Sequence, residues 1–332
     1  MPGPFGPDRS ASPERLHARH GHFTVFCWRD GEAVASTAAG ENTLFITIDS
    51  CRVDTAVRAV TPALDRLGPL VVAETAGTFT LPAHWAFFSG FLPKPRNGEH
   101  FLGRYEQLWS HDCRAWKRST YTVFETPTIV EHHVRSGYFT IGLGGVPFFD
   151  PAIPSSILPA LFPSFRYRGE RAGAPTTAID ADLPTRRPLP TERLGKFTEQ
   201  LLRNEPFFGF VNFPETHFPY CTPGAGTLDD HTVDALREIG GHIYRRAALG
   251  EDSALWKEDR LQNVHKLQVR ALEWVDRHLG PMFTALSGAA RGTLVVVCAD
   301  HGESFGEQRL VGHGNTSPEV LHVPLWAGHI NR

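Results

Sequence analysis

Two segments limit the fold more than anything else in the chain: TLFITID at 43–49 and TLVVVCAD at 293–300. Both are apolar and β-branched at consecutive rather than alternate positions, so each strand needs cover on both faces. That is the pattern of a strand in a parallel sheet with helices on either side. Similar runs at 138–141, 207–212 and 323–326 extend the sheet. Helical spacing falls between them. It is clearest over 256–286, where Leu261, Val264, Leu267, Leu272, Val275, Leu279, Phe283 and Leu286 recur every three to five residues. Further helices are predicted near 55–67, 80–88, 129–136 and 191–204. The alternation predicts an α/β fold, a three-layer αβα sandwich around a mostly parallel central sheet. The stretches 150–190, dense in Pro and Arg, and 222–252, polar with paired Gly, read as long surface excursions of the kind that cap a site.

The Pro-, Gly- and Arg-rich start lacks periodicity and any apolar signal segment. It predicts an N-terminal extension over 1–40 ahead of one catalytic domain over 41–332. No run approaches the roughly 20 apolar residues that span a bilayer, so no membrane partner and a cytoplasmic location are expected. With 33 Lys+Arg against 36 Asp+Glu the formal charge is −3, and no basic stripe exists to neutralise a phosphate backbone, which excludes nucleic acid. Five cysteines (Cys27, Cys51, Cys113, Cys221, Cys298) show neither even count nor paired spacing, and read as buried thiols. The 23 Phe suit either a core or an interface between copies, which leaves a homo-oligomer open.

Ligands of open α/β sheets sit beyond the carboxyl ends of the strands. The first long run delivers Asp49 there, followed by Ser50, Cys51 and Arg52; the run at 293 delivers Asp300 and His301 within ADHGESFGE. One Asp at a strand end is ordinarily a cap or a solvated turn. Two strand ends supplying carboxylates and an imidazole suit a divalent ion such as Zn, Mn or Mg, with Ca a weaker fit. Between them, GTFTLPAHWAFFSGFLP sets Thr80 ahead of a Pro-containing first helical turn, as an N-cap would be. A helix N-terminus is also an anion site, so a hydroxyl held there faces phosphate or sulfate. His217, in NFPETHFPY, and His313, between two glycines, complete the set. His20, His22, His132 and His133 lack such a context.

In this order, TIDSCRVD, TLPAHWAFFSG, FFGFVNFPETHFPY, HKLQVRALEWVDRHLGPMFTAL and ADHGESFGEQRLVGHGNTSPEVLHVPLW resemble the sulfatase-like branch of the alkaline phosphatase superfamily, over about residues 42–326. FFSGFLPKP and SGYFTIGLGGVPFFDP are most similar to a compact bacterial cytoplasmic group within it. The resemblance implies a divalent metal, one per chain, and hydrolysis of a small anionic ester (phosphate, phosphonate or sulfate) through a covalent intermediate. By position, Asp49, Asp300 and His301 match metal ligands and Thr80 the metal-contacting nucleophile. His217 and His313 match histidines that grip nonbridging oxygens or protonate the leaving group. His84 stands where sulfatases have the Arg of C-x-P-S-R, in the same pocket, and Arg52 is a plausible anion contact. True sulfatases carry a Cys or Ser converted to formylglycine at the Thr80 position and a second Asp where Ser50 stands. Thr80 therefore implies phosphatase-like alkoxide chemistry over sulfate chemistry. The chain also stops just after HVPLW, short of the usual sulfatase carboxyl-terminal subdomain. The rival readings are a soluble phosphoryl-group transferase using the same nucleophile, a two-metal enzyme recruiting Glu215 with His217 and His313, and a noncatalytic metal- or anion-binding protein.

Overall fold

In the computed structural model, residues 28–29, 32–33, 40–90, 127–153, 156–170, 179–245 and 249–331 are described. The chain divides into two units, Met1–Ala39 and Gly40–Arg332. The described part of the first is a pair of two-residue antiparallel strands, Trp28–Arg29 with Glu32–Ala33. Cys27, Cys113, His20 and His22 lie outside the described residues.

The second unit is built on seven strands: β1 (Asn42–Ile48), β2 (Val71–Glu74), β3 (Phe139–Gly144), β4 (Ser164–Tyr167), β5 (Phe207–Phe213), β6 (Thr293–Ala299) and β7 (His322–Ile330). Their order is β2-β7-β6-β1-β5-β3-β4. β7 runs antiparallel to both of its neighbours and every other pairing is parallel. All residues of β1, β5 and β6 are buried, as their unbroken apolar runs require.

The two faces of β1 meet different layers. Leu44, Ile46 and Ile48 join Val295, Val297, Val211 and Phe213 in one core with Leu272, Val275, Leu279, Phe283 and Leu286. Those last five belong to α6 (Glu258–Leu286), and α4 (Leu194–Leu202) adds Phe197 and Leu201. On the opposite face, Phe45 and Phe210 pack edge-on, tilted or stacked against Phe88, Phe149 and Phe162 at centroid distances of 5.1–6.5 Å. Phe88 comes from α2 (Thr80–Ser89), and the next described helix is α3 (Ile129–Arg135). These phenylalanines therefore build a core layer. The amino-terminal half of α6 leaves the sheet and covers a second core with α5 (Asp230–Arg245), where Leu261, Val264 and Leu267 meet Leu236, Ile239, Phe218, Tyr220 and Phe305.

Several expectations need correction. The helix expected over 55–67 is α1 (Val53–Arg58) followed by a separate 3₁₀ turn, Leu64–Leu67; Pro62 lacks an N–H and disfavours helical geometry at Thr61. The 191–204 helix opens as a 3₁₀ turn, Pro190–Arg193, before α4. The excursion at 150–190 contains β4, and that at 222–252 contains α5. Gly240–Gly241 masks the helical signal of α5, and at Gly240 a Cβ would meet the Phe218 ring tightly, at 3.2 Å. Phe79, not Thr80, is the N-cap of α2, and Thr80 is its first helical residue.

Candidate active site

The carboxyl ends of β1 and β6, adjacent and in parallel register, bring Ile48 beside Ala299, so the next residues, Asp49 and Asp300, emerge together. Asp49, Asp300 and His301 offer ligand atoms that lie within 4.8 Å of one another. All three side chains are 0% exposed. His301 Nε2 stands 3.6 Å from both Asp49 Oδ1 and Asp300 Oδ2, while its Nδ1 faces Gly302 O at 2.9 Å. A carbonyl can only accept, so Nδ1 carries the hydrogen and Nε2 turns a lone pair inward. Asp300 Oδ2 and His301 Nε2 are buried without a hydrogen-bond partner. Buried polar atoms are costly when unpaired, and a divalent cation is the group that two carboxylates and one imidazole lone pair would satisfy together. The residues fit a metal.

Backbone and hydroxyl donors orient these carboxylates. Asp300 Oδ1 accepts from the N–H groups of Ser50 (3.1 Å) and His301 (2.9 Å). Asp49 Oδ1 accepts from Ser50 Oγ at 3.1 Å, so the serine standing at the second-Asp position supports its neighbour. Ser50 takes a left-handed φ of 61° to do so. Thr80 Oγ1 donates to Asp49 Oδ2 at 3.2 Å. The loop feeding α2 runs so close to its first turn that a Cβ on Gly77 would lie 2.5 Å from Ala83 N; glycine there lets Thr80 reach the cluster.

At the rim, the ring centroid of His313 lies 4.4 Å from that of His301 and 5.2 Å from that of His217. His217 follows the end of β5, and its Nδ1 meets Phe218 O at 3.0 Å. The electrostatics separate the two rim histidines. Burial lowers the pKa of His217, with His313 adding to it and Asp49 opposing. For His313, burial is outweighed by the Glu303 charge and hydrogen bond, with help from Asp49, and its pKa rises. The two aspartates also diverge. Burial and the Asp49 charge push Asp300 well up, whereas for Asp49 burial is outweighed by the four histidines 217, 301, 313 and 84 and its carboxyl falls.

Two expected substrate contacts are engaged within the protein, although His84 Nδ1 lies 3.5 Å from Asp300 Oδ2. His84 is 0% exposed and walled by Phe87, Phe149 and Phe210. Its Nδ1 faces Thr80 O and its Nε2 faces Thr47 Oγ1, both at 2.8 Å, and Asn212 Nδ2 donates to the same hydroxyl at 3.1 Å. Burial pushes its pKa down to about 4. It is a neutral brace between β1, β5 and the first turn of α2. Arg52 gives Nε and Nη2 to Asp54 (2.7 and 2.9 Å) and Nη1 to Glu307 (2.7 Å) and Glu303 O (3.1 Å). With both edges taken, it clamps the 303–307 segment rather than offering a fork to an anion. Glu215 binds Thr191 N at 3.3 Å, and among the described residues Asp49, Asp300 and His301 form the one metal-capable group.

A Sulfatase family profile matches residues 171–327, which takes in His217, Asp300, His301 and His313; Asp49 and Thr80 precede it. The fold is similar to that of the phosphonate monoester hydrolase of Agrobacterium radiobacter, with a TM-score of 0.56, 19% identity, and coverage of 86% of this chain and 68% of that one. Residues 171–327 thus resemble the Sulfatase family, and the likeness to the hydrolase shows a shared fold. The same fold appears in the C-terminal periplasmic domain of EcEptC from Escherichia coli in complex with Zn, with a TM-score of 0.52, 14% identity, and coverage of 87% and 73%. The lipoteichoic acid synthase LtaP from Listeria monocytogenes gives 0.51, 14%, and coverage of 87% and 65%. No curated protein matches the sequence. Among the described residues no helix is long and apolar enough to cross a membrane. Neither the fold nor the comparisons support the cytoplasmic expectation.

Sequence reasoning missed Glu303 and Gln268. Gln268 Nε2 donates to Ser50 O (2.9 Å) and Thr216 O (3.0 Å), tying the loops after β1 and β5 to α6. For Glu303 a signal existed in ADHGESFGE, an acid two residues past the presumed ligand.

Proposed function

We propose that this chain is a metal-dependent hydrolase of phosphate or phosphonate esters, with sulfate esters a lesser fit, acting through a covalent bond to Thr80. The observation that carries the reading is the Thr80 hydroxyl, 3.2 Å from Asp49 Oδ2 at the first turn of a helix and beside the Asp49–Asp300–His301 group. Those three residues would hold one divalent ion, Mn, Zn, Mg or Ca, whose charge withdraws electrons from the ester and favours the Thr80 alkoxide.

The remaining steps belong to the side chains. Thr80 Oγ1 gives its proton to Asp49, the acceptor it already faces, and forms a bond to phosphorus as the bond to the leaving oxygen breaks. His313, whose pKa is raised, donates a proton to that oxygen. Neutral His217 stands beside it to hold a nonbridging oxygen. Water then attacks phosphorus, its proton returns to His313, and Thr80 oxygen regains its own from Asp49.

Turnover of nitrophenyl phosphate, phosphate diester, phosphonate and sulfate with each ion tests this, run beside Thr80→Ala. The expected outcome is ion-dependent turnover that falls by at least about 10³-fold in the variant while it remains folded. Near-wild-type turnover by Thr80→Ala overturns the mechanism.

A further inference from the structure

Glu303 is fully buried, and its carboxylate has one hydrogen-bonding side chain among the described residues. His313 Nδ1 lies 3.3 Å from Oε1 and 3.4 Å from Oε2. A carboxylate taken out of water is costly unless a donor meets it, so His313 Nδ1–H is the group that allows Glu303 to be there. The pairing is built into the backbone. Ser304–Phe305 pairs antiparallel with Val311–Gly312, Ser304 opposite Gly312, which makes Glu303 and His313 the next pair across the two strands. Arg52 locks this hairpin from outside through Glu303 O and Glu307, and its guanidinium lies 5.3 Å from the centre of the Phe305 ring.

With Nδ1 committed to Glu303, His313 has Nε2 left for the site, beside His301 and His217. The geometry points to Glu303 as a positioning residue that fixes the His313 ring and holds its Nδ1–H, so that the doubly protonated ring gives the Nε2 proton to the leaving oxygen and is left neutral with Nδ1–H. The relation is that of the carboxylate that holds a catalytic imidazole in a hydrolytic triad. Glu303 takes no proton in the step: the Oγ–P bond forms, the P–O bond to the leaving group breaks, and the proton passes from Nε2 to that oxygen.

This rests on the hydrolase reading, and the test separates the two. Esters with a nitrophenyl group, which leaves without a proton, are compared with alkyl esters, which need one. Glu303→Leu, close in volume and apolar, is expected to lower kcat/KM about 10²-fold on the alkyl ester and less than about 10-fold on the nitrophenyl ester. Glu303→Gln, which keeps an acceptor, recovers part of the loss. His313→Ala shows the same split, and Glu303→Leu with His313→Ala is no worse than His313→Ala alone. Equal losses on both esters, or additive losses in the pair, overturn the role of Glu303. A wild type inert to every ester, or an active Thr80→Ala, overturns the hydrolase reading instead. Nitrogen-15 NMR of histidine-labelled protein requires no turnover. A proton on His313 Nδ1 in the wild type, lost or exchanging faster in Glu303→Gln, supports the pairing, and a wild-type ring protonated on Nε2 alone refutes it.

Discussion

Glu215 shows what burial does to a group that the proposed chemistry leaves aside. It is 0% exposed, Oε1 accepts from Thr191 N, and Oε2 has no partner. Burial pushes its pKa up to about 7, against the pull of its own and Thr191 hydrogen bonds and of Arg187. Because the folded value lies above the ordinary 4.5, the unfolded chain releases the proton first. The stability from Glu215 is therefore complete below about pH 4.5 and is lost as pH rises through 7. Glu215→Gln mimics the neutral acid, so it should exceed the wild type by up to about 3 kcal/mol at pH 8 and match it at pH 4.5. Urea midpoints at the two pH values check this, and a lower midpoint for the variant at pH 8 contradicts it. His133 and His265 run the other way: burial pushes both down to about 4, so they are neutral when folded. Their stability is present above the ordinary 6.5 and lost as pH falls toward 4. His133→Gln, which stays neutral, should flatten the fall in midpoint between pH 6.5 and 4 relative to the wild type; an unchanged profile contradicts the assignment.

At the scale of elements, α6 is the part that makes two strand ends act together. Besides donating to Ser50 O and Thr216 O, Gln268 accepts from Thr55 Oγ1 at 2.6 Å. Farther along, Asp276 accepts from Ala63 N and Leu64 N at 3.0 and 2.8 Å. The helix thus supports the loop that carries Asp49 as well as the main core. Gln268→Leu would leave two buried carbonyls without a donor and should cost about 3 kcal/mol. Its kcat should fall with it, because Asp49 and His217 stand on the loops released. Urea unfolding and turnover measured together check this, and an unchanged midpoint contradicts it. None of these partners is visible along the chain: Gln268 is separated from Ser50 by 218 positions, and a glutamine on an amphipathic helix has the same local pattern whether it faces water or a strand end.

For the molecule as a whole, a cation that binds only the folded state should raise Tm. At an ion concentration near 100 times Kd the gain is about 2.7 kcal/mol, a rise of several degrees in a chain this size. Thermal unfolding with Mn, Zn, Mg or Ca, against Asp300→Asn, reads this without substrate. Absence of a shift with every ion contradicts the metal assignment. The elements rich in local signal were legible in advance: β1, β5 and β6 are apolar on consecutive positions, α6 keeps a long helical period, and Asp49, Asp300 and His301 follow strands whose carboxyl ends must share one edge. Short edge strands such as β2 and β4 carry four residues each, too few for a period to declare itself. The sequence by itself determined the layered sheet and which residues arrive at its carboxyl edge, because burial on both faces leaves few alternatives for such runs. Tertiary structure alone decided that Arg52 is a clamp, His84 a brace and Glu303 the partner of His313. Those roles depend on which donors and acceptors meet across the fold, and hydrogen bonding acts over distances near 3 Å whatever the separation along the chain.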